Sequence, residues 1–122
     1  MNRLLLFSVL ILLVSFRCIR NESLMYIQND SKERIDSVVV YFHALNNFKV
    51  KSLVIAEGST AVLSIPIDSV KIKHTLAIQP YIYLRDTVIT VPLFYDDSDF
   101  PAVPPKCTIV LSGNLETKWK LK

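Results

Sequence analysis

From residue 24 onward, apolar and polar residues alternate with a period of two, the pattern of half-buried strands. The clearest unit is the last. Cys107, Ile109 and Leu111 alternate with Lys106, Thr108 and Val110; Leu115, Thr117, Trp119 and Leu121 then alternate with Glu116, Lys118, Lys120 and Lys122. Ser112-Gly113-Asn114 stands between the two runs, so the pair reads as a hairpin whose glycine supplies the positive φ of a type I′ or II′ turn. This register points Leu115, Trp119 and Leu121 at a core and the lysines at water.

The same reading continues upstream. Met25 to Gln28 forms a short strand closed by Asn29-Asp30-Ser31. Ile35 to His43 is apolar on both faces through Val38-Val39-Val40-Tyr41-Phe42, as a central strand is. Phe48 to Ala56 slips phase near Ser52, which marks a bulge. After Glu57-Gly58-Ser59, Thr60 to Ile67 sets Ala61, Leu63, Ile65 and Ile67 on one face and Pro66 on the other, an edge position. Val70 to Gln79 turns Val70, Ile72, His74, Leu76 and Ile78 inward, and Tyr81 to Leu84 and Thr87 to Leu93 flank Arg85-Asp86. No helix is expected after residue 20. Seven or eight short strands in about a hundred residues predict an all-β fold: an antiparallel two-sheet β-sandwich of immunoglobulin-like or transthyretin-like form, with a small closed barrel as the alternative.

The N-terminus breaks this period. Leu4 to Phe16 is apolar except for Ser8 and Ser15, with Arg3 ahead and Arg17 and Arg20 behind. The run is shorter than the roughly 20 residues that cross a ~30 Å hydrocarbon core, and it lacks the polar face of a core helix. Its length and flanks are those of an export signal. No A-x-A-like cleavage pattern stands between Val14 and Met25, but a cysteine follows the run directly. Ser15-Phe16-Arg17-Cys18 occupies the place of a Leu-(Ala/Ser)-(Gly/Ala)-Cys lipobox, and on it residues 1–18 resemble the signal peptide of bacterial cell-envelope lipoproteins. Arg17 stands where that family has a small residue. The resemblance implies cleavage before Cys18, diacylation of its thiol and, since no Asp follows Cys18, an outer-membrane location. Residues 1–17 would then be the signal peptide, 18–23 a tether and 24–122 the β-sandwich domain.

The second cysteine keeps the fate of Cys18 open between a lipid, a disulfide and neither. A Cys18–Cys107 bridge would suit a soluble secreted or periplasmic protein of the inhibitor or immunity type. A lipidated Cys18 instead leaves Cys107, in phase with Ile109 and Leu111, as a buried thiol. The formal charge of +3 falls to +1 if the chain starts at Cys18, because Arg3 and Arg17 precede it. With no Lys/Arg stripe along the sequence, no nucleic-acid partner is expected.

Candidate chemistry is sparse. Asp96, Asp97 and Asp99 crowd together ahead of Phe100-Pro101. Three carboxylates suit Ca²⁺, yet Phe100-Pro101 fills the bend where an EF-hand loop has glycine. Asp96, Asp97, Asp99 and Phe100 are therefore expected as a solvated recognition loop, with no metal or other cofactor. His43, His74 and Cys107 lack metal-site spacing, and neither a G-x-S-x-G elbow nor a Gly-rich phosphate loop is present. Asn21-Glu22-Ser23 and Asn29-Asp30-Ser31 match the glycosylation sequon. Tyr41, Tyr81, Tyr83, Tyr95 and Phe94 are expected as sandwich core and strand-pair residues, with an exposed ledge of Tyr81 and Tyr83, which share a face, as the alternative. The expectation is a non-enzymatic envelope lipoprotein, held on the membrane by a lipid at Cys18, whose β-sandwich binds or packs against a protein or glycan.

Overall fold

The computed structural model describes residues 22–43, 48–66, 76–98, 103–104 and 106–121. Nine strands are found among them: β1 (Glu22–Asn29), β2 (Ser37–Phe42), β3 (Phe48–Lys51), β4 (Thr60–Pro66), β5 (Leu76–Tyr83), β6 (Val88–Thr90), β7 (Phe94–Asp96), β8 (Lys106–Leu111) and β9 (Thr117–Leu121). One sheet has the order β4-β1-β8-β9; the other has the order β3-β2-β5-β6, with β7 also pairing β5. The chain is an all-β two-sheet sandwich. All pairs are antiparallel except β1 with β8, which run parallel. An immunoglobulin order pairs the first strand with the second. Here β1 pairs β4 and β8, so the immunoglobulin form is not the one adopted.

Alternation gives each sheet one dry face, and the two dry faces make a single core. Met25 and Ile27 of β1, Leu63 and Ile65 of β4 and Cys107, Ile109 and Leu111 of β8 join Val38, Val40 and Phe42 of β2 and Leu76, Ile78 and Ile82 of β5. Pro66 ends β4 on a sheet edge, and β2 lies between β3 and β5, both as the sequence indicates. The phase slip at Ser52 is also real. Its N–H donates to Val38 O at 2.8 Å, while its buried hydroxyl accepts the Val38 N–H at 2.8 Å in place of a backbone carbonyl. Leu53 and Val54 then swing outward before Ile55 returns to the core and bridges Ile35.

Three local expectations are corrected. The sequence reading ended one strand at Gln79 and began another at Tyr81, but β5 runs unbroken through Pro80. Pro80 faces the gap between β6 and β7, where it accepts the Val91 N–H at 3.1 Å but has no N–H to return. The Gln79 side chain supplies the missing donor: its Nε2 reaches Val91 O at 2.6 Å. At the C-terminal hairpin the positive φ belongs to Leu115 (63°) rather than to Gly113. Leu115 N donates to Ser112 O at 3.0 Å and Ser112 N to Glu116 O at 2.8 Å, giving a three-residue loop closed by a left-handed residue. The Leu115 side chain packs on the core, which offsets the strain of that conformation. Leu121, expected inside, is 52 % exposed at the end of edge strand β9.

The Asn29-Asp30-Ser31 sequon is not an accessible glycan site. Asn29 is fully buried, and its Nδ2 donates to Glu33 O at 2.8 Å and Ala56 O at 3.2 Å. Its Oδ1 accepts from Ser31 N at 3.1 Å and Ser31 Oγ at 2.6 Å. A glycan on that amide would break this knot.

Two stability predictions follow from these bonds. Asn29→Ala leaves the partly buried Glu33 and Ala56 carbonyls and the Ser31 donors short of partners and should cost on the order of 3 kcal/mol in urea unfolding. Asn29→Asp keeps the shape but turns an oxygen toward Glu33 O and Ala56 O, and should be no more stable than the alanine variant at neutral pH. Gln79→Leu should cost roughly 1–3 kcal/mol, since it leaves Val91 O unanswered in the same assay. A fully stable Gln79→Leu would mean that Pro80 needs no surrogate donor.

Candidate functional site

The register fixes which turns share an end of the sandwich. At the entry end, Glu22 pairs Pro66, Leu24 pairs Lys106 and Cys107 pairs Leu121; in the other sheet, Phe42 pairs Phe48 and Leu76 pairs Asp96. At the far end the turns are tied together by backbone bonds, Asp30 N to Leu111 O at 2.8 Å, Gly58 N to Asn29 O at 2.8 Å and Asp36 N to Tyr83 O at 2.8 Å. Gly58 has φ 68°, the left-handed conformation that its turn requires.

The expected recognition loop falls partly within the described residues. Asp96 closes β7 and its Oδ1 accepts the Ser98 N–H at 3.0 Å; Asp97 and Ser98 are exposed. Asp99 and Phe100 lie outside the described residues, as do Cys18 and His74. His43 is exposed just after β2 and donates its backbone N–H to Ala77 O at 3.0 Å. No group of three or more His, Cys, Asp or Glu side chains among the described residues is placed to hold a metal ion. Among the described residues no helix is long and apolar enough to cross a membrane.

Three surfaces carry more chemistry than that loop. A cleft of about 680 Å³ at the far end is lined by Glu33, Arg34, Asp36, Arg85, Asp86 and Thr87. Arg34 spends its charge locally, donating from Nε at 3.1 Å and Nη2 at 2.9 Å to Asp36 Oδ1. The second surface is the outer face of the five-stranded sheet. Tyr41, Tyr81 and Tyr83 lie half-buried on it, and the exposed Tyr95 continues the row beyond Ala77. Tyr41 and Tyr81 meet edge to face, with centroids 5.7 Å apart. Lys49 and Lys51 of β3 flank them across the register from Tyr41 and Val39. The ledge of Tyr81 and Tyr83 is thus present and wider than the sequence indicated.

The third surface is the outer face of the four-stranded sheet. A groove of about 230 Å³ is lined there by Tyr26, Gln28, Thr60, Lys106, Cys107, Thr108 and Lys120. Lys106 Nζ stands 5.1 Å from the centroid of the Tyr26 ring, a cation–π contact. The sequence showed these lysines only as the wet half of two separate alternations; the β1–β8 and β8–β9 registers gather them. Trp119 faces the opposite way. Its Nε1 donates to Pro92 O at 2.6 Å and its ring lies 5.9 Å from that of Phe94, pinning edge strand β9 to the other sheet.

No family model, curated protein or solved structure matches the chain.

Cys107 is a free thiol and only 1 % exposed; burial pushes it from an ordinary 9.0 up to about 11. A thiol so placed is a poor nucleophile, because the thiolate is the reactive species. Alkylation by iodoacetamide at pH 8 should fail in the folded protein and proceed in urea. A raised pKa in the folded state stabilises below pH 9 and loses that contribution as pH climbs toward 11. Roughly 3 kcal/mol at most should therefore disappear over that interval, an effect absent in Cys107→Ala.

Proposed function

We propose that the chain is a non-enzymatic envelope lipoprotein, anchored in the outer membrane through a lipid on Cys18, whose β-sandwich binds a protein or glycan. The observation that carries the reading is the place of β1. It begins at Glu22, close behind Cys18, and it lies inside its sheet between β4 and β8. The chain thus passes from the anchor position into a strand hydrogen-bonded on both edges, a junction that holds a rigid domain near the bilayer. The buried polar groups of the core are structural. Ser23, Asn29, Ser31 and Ser52 all spend their side chains on backbone or turn hydrogen bonds, the first by donating to Pro104 O. Tyrosine rings with wet hydroxyls, as on the five-stranded face, offer a partner broad contact area at a small loss of conformational freedom.

The anchor is tested by Cys18→Ser. The native protein should sediment with membranes and carry a diacylglyceryl mass increment on Cys18. The variant should move to the soluble fraction or accumulate as an uncleaved precursor. Unchanged fractionation with unchanged mass would overturn the lipid reading and assign attachment to Leu4 to Phe16 as a signal anchor.

A further inference from the structure

Among the described residues, the outer face of the four-stranded sheet carries three exposed lysines and that of the five-stranded sheet two, Lys49 and Lys51. On the outer face of the four-stranded sheet, the registers set Leu24 beside Ser64 and Lys106, Tyr26 beside Val62 and Thr108, and Gln28 beside Thr60 and Val110. Lys120 pairs Thr108 and Lys118 pairs Val110 at the far side. Lys106, Lys118 and Lys120 are all exposed. Carboxylates stand at the margins of this face: Glu116 precedes β9, and Asp30 holds the Gln28 amide at 2.8 and 2.9 Å. Among the described side chains, no carboxylate stands between Lys106, Lys118 and Lys120. Exposed Val62 and the Tyr26 ring lie among the lysines, a mixture of cation, aromatic and aliphatic groups that suits the headgroup layer of a bilayer.

The point of attachment selects the same face. Glu22 is the first residue of a strand in this sheet, and four residue steps from Cys18 span at most about 14 Å even when fully extended. A domain held that close must touch the surface with its entry end or with one of its faces. The entry end of the other sheet carries the exposed Asp97, which an anionic surface repels. Repulsion there and attraction at the lysines turn the domain the same way, four-stranded sheet down.

We infer that the outer face of the four-stranded sheet rests on the anionic headgroup layer of the membrane, with Lys106, Lys118 and Lys120 contacting lipid phosphates. The inference rests on the lipid-anchor reading. It leaves the tyrosine face of the other sheet turned away from the bilayer, open to a partner. A lysine close to such a surface contributes about 1 kcal/mol, about fivefold in partitioning, so three together amount to on the order of a hundredfold.

The full lipidated protein, purified in detergent, is to be transferred to vesicles of phosphatidylcholine, without or with phosphatidylglycerol. Amine-reactive labelling of each lysine is then read by mass spectrometry. On anionic vesicles Lys106, Lys118 and Lys120 should label about tenfold more slowly than in detergent. Lys49 and Lys51 of the other sheet should not change. High salt or neutral vesicles should abolish the protection. At equilibrium between the two vesicle types, the native protein should favour the anionic ones on the order of a hundredfold, and K106Q/K118Q/K120Q should favour neither. Equal labelling of both faces, or the same partition ratio for native and variant protein, would overturn the inference. Protection already present in detergent would also overturn it, assigning the face to a second copy of the chain. Failure of the anchor itself reads out separately, as no diacylglyceryl mass and no retention on neutral vesicles.

Discussion

Asn29 ends β1, the first described strand and one that lies inside its sheet, and the β1–β2 and β3–β4 turns both converge on it. One amide answers Ser31, Glu33 and Ala56, while its backbone carbonyl takes the Gly58 N–H and its N–H reaches Ser59 O. A buried amide with donors and acceptors both satisfied is worth far more than the same group half-satisfied, because an unanswered carbonyl retains its full desolvation cost. Asparagine is the one side chain of this size that offers a donor and an acceptor side by side. The far end of the sandwich, where the chain crosses from β1 to β2 and from β3 to β4, is closed by this knot.

The same logic of substituted partners recurs wherever the ladders break. Ser52 Oγ stands in for a backbone acceptor where β3 leaves its sheet, and Gln79 Nε2 stands in for the N–H that Pro80 lacks. Both devices keep buried backbone groups answered at a point where regular strand geometry cannot. The Gln79 donor lets β5 remain one continuous central strand, with β2 on one edge and β6 and β7 sharing the other. Without the Gln79 donor, the natural place to end the strand would be at the proline, where the sequence reading ended it.

Strands were legible in the sequence because a half-buried strand writes its environment in its own alternation. Ile109 inside and Lys118 outside need no knowledge of a partner strand. What alternation omits is pairing. That β1 runs parallel to β8, setting Leu24 beside Lys106, joins residues far apart in the chain and follows from the closure of the whole core. The lysine face depends on that pairing, so it was invisible as a site although each lysine had been placed in water. Local turn chemistry failed for a related reason: Leu115 adopts a left-handed φ that its type disfavours because its side chain is held by the core, a tertiary contact overriding a local preference. The sequon at Asn29 misled in the same way, since a three-residue motif carries no information about burial.

The proposed orientation depends on tethering as much as on charge. Three exposed lysines on a free protein would give weak, salt-sensitive attraction to a membrane, because exposed charges more than a Debye length from the surface are screened. A domain held within about 14 Å of the bilayer by a short tether meets it at a high effective concentration, so the same three charges need only choose among orientations. Choosing demands a difference between faces rather than strong binding. The difference lies in number and neighbours: Lys106, Lys118 and Lys120 share the outer face of the sheet that β1 enters, whereas the opposite sheet has two lysines, Lys49 and Lys51, and the exposed Asp97 just beyond β7. An asymmetric charge distribution across a two-sheet sandwich thus converts a flexible attachment into a preferred pose, with the broad row of tyrosines on the side left free.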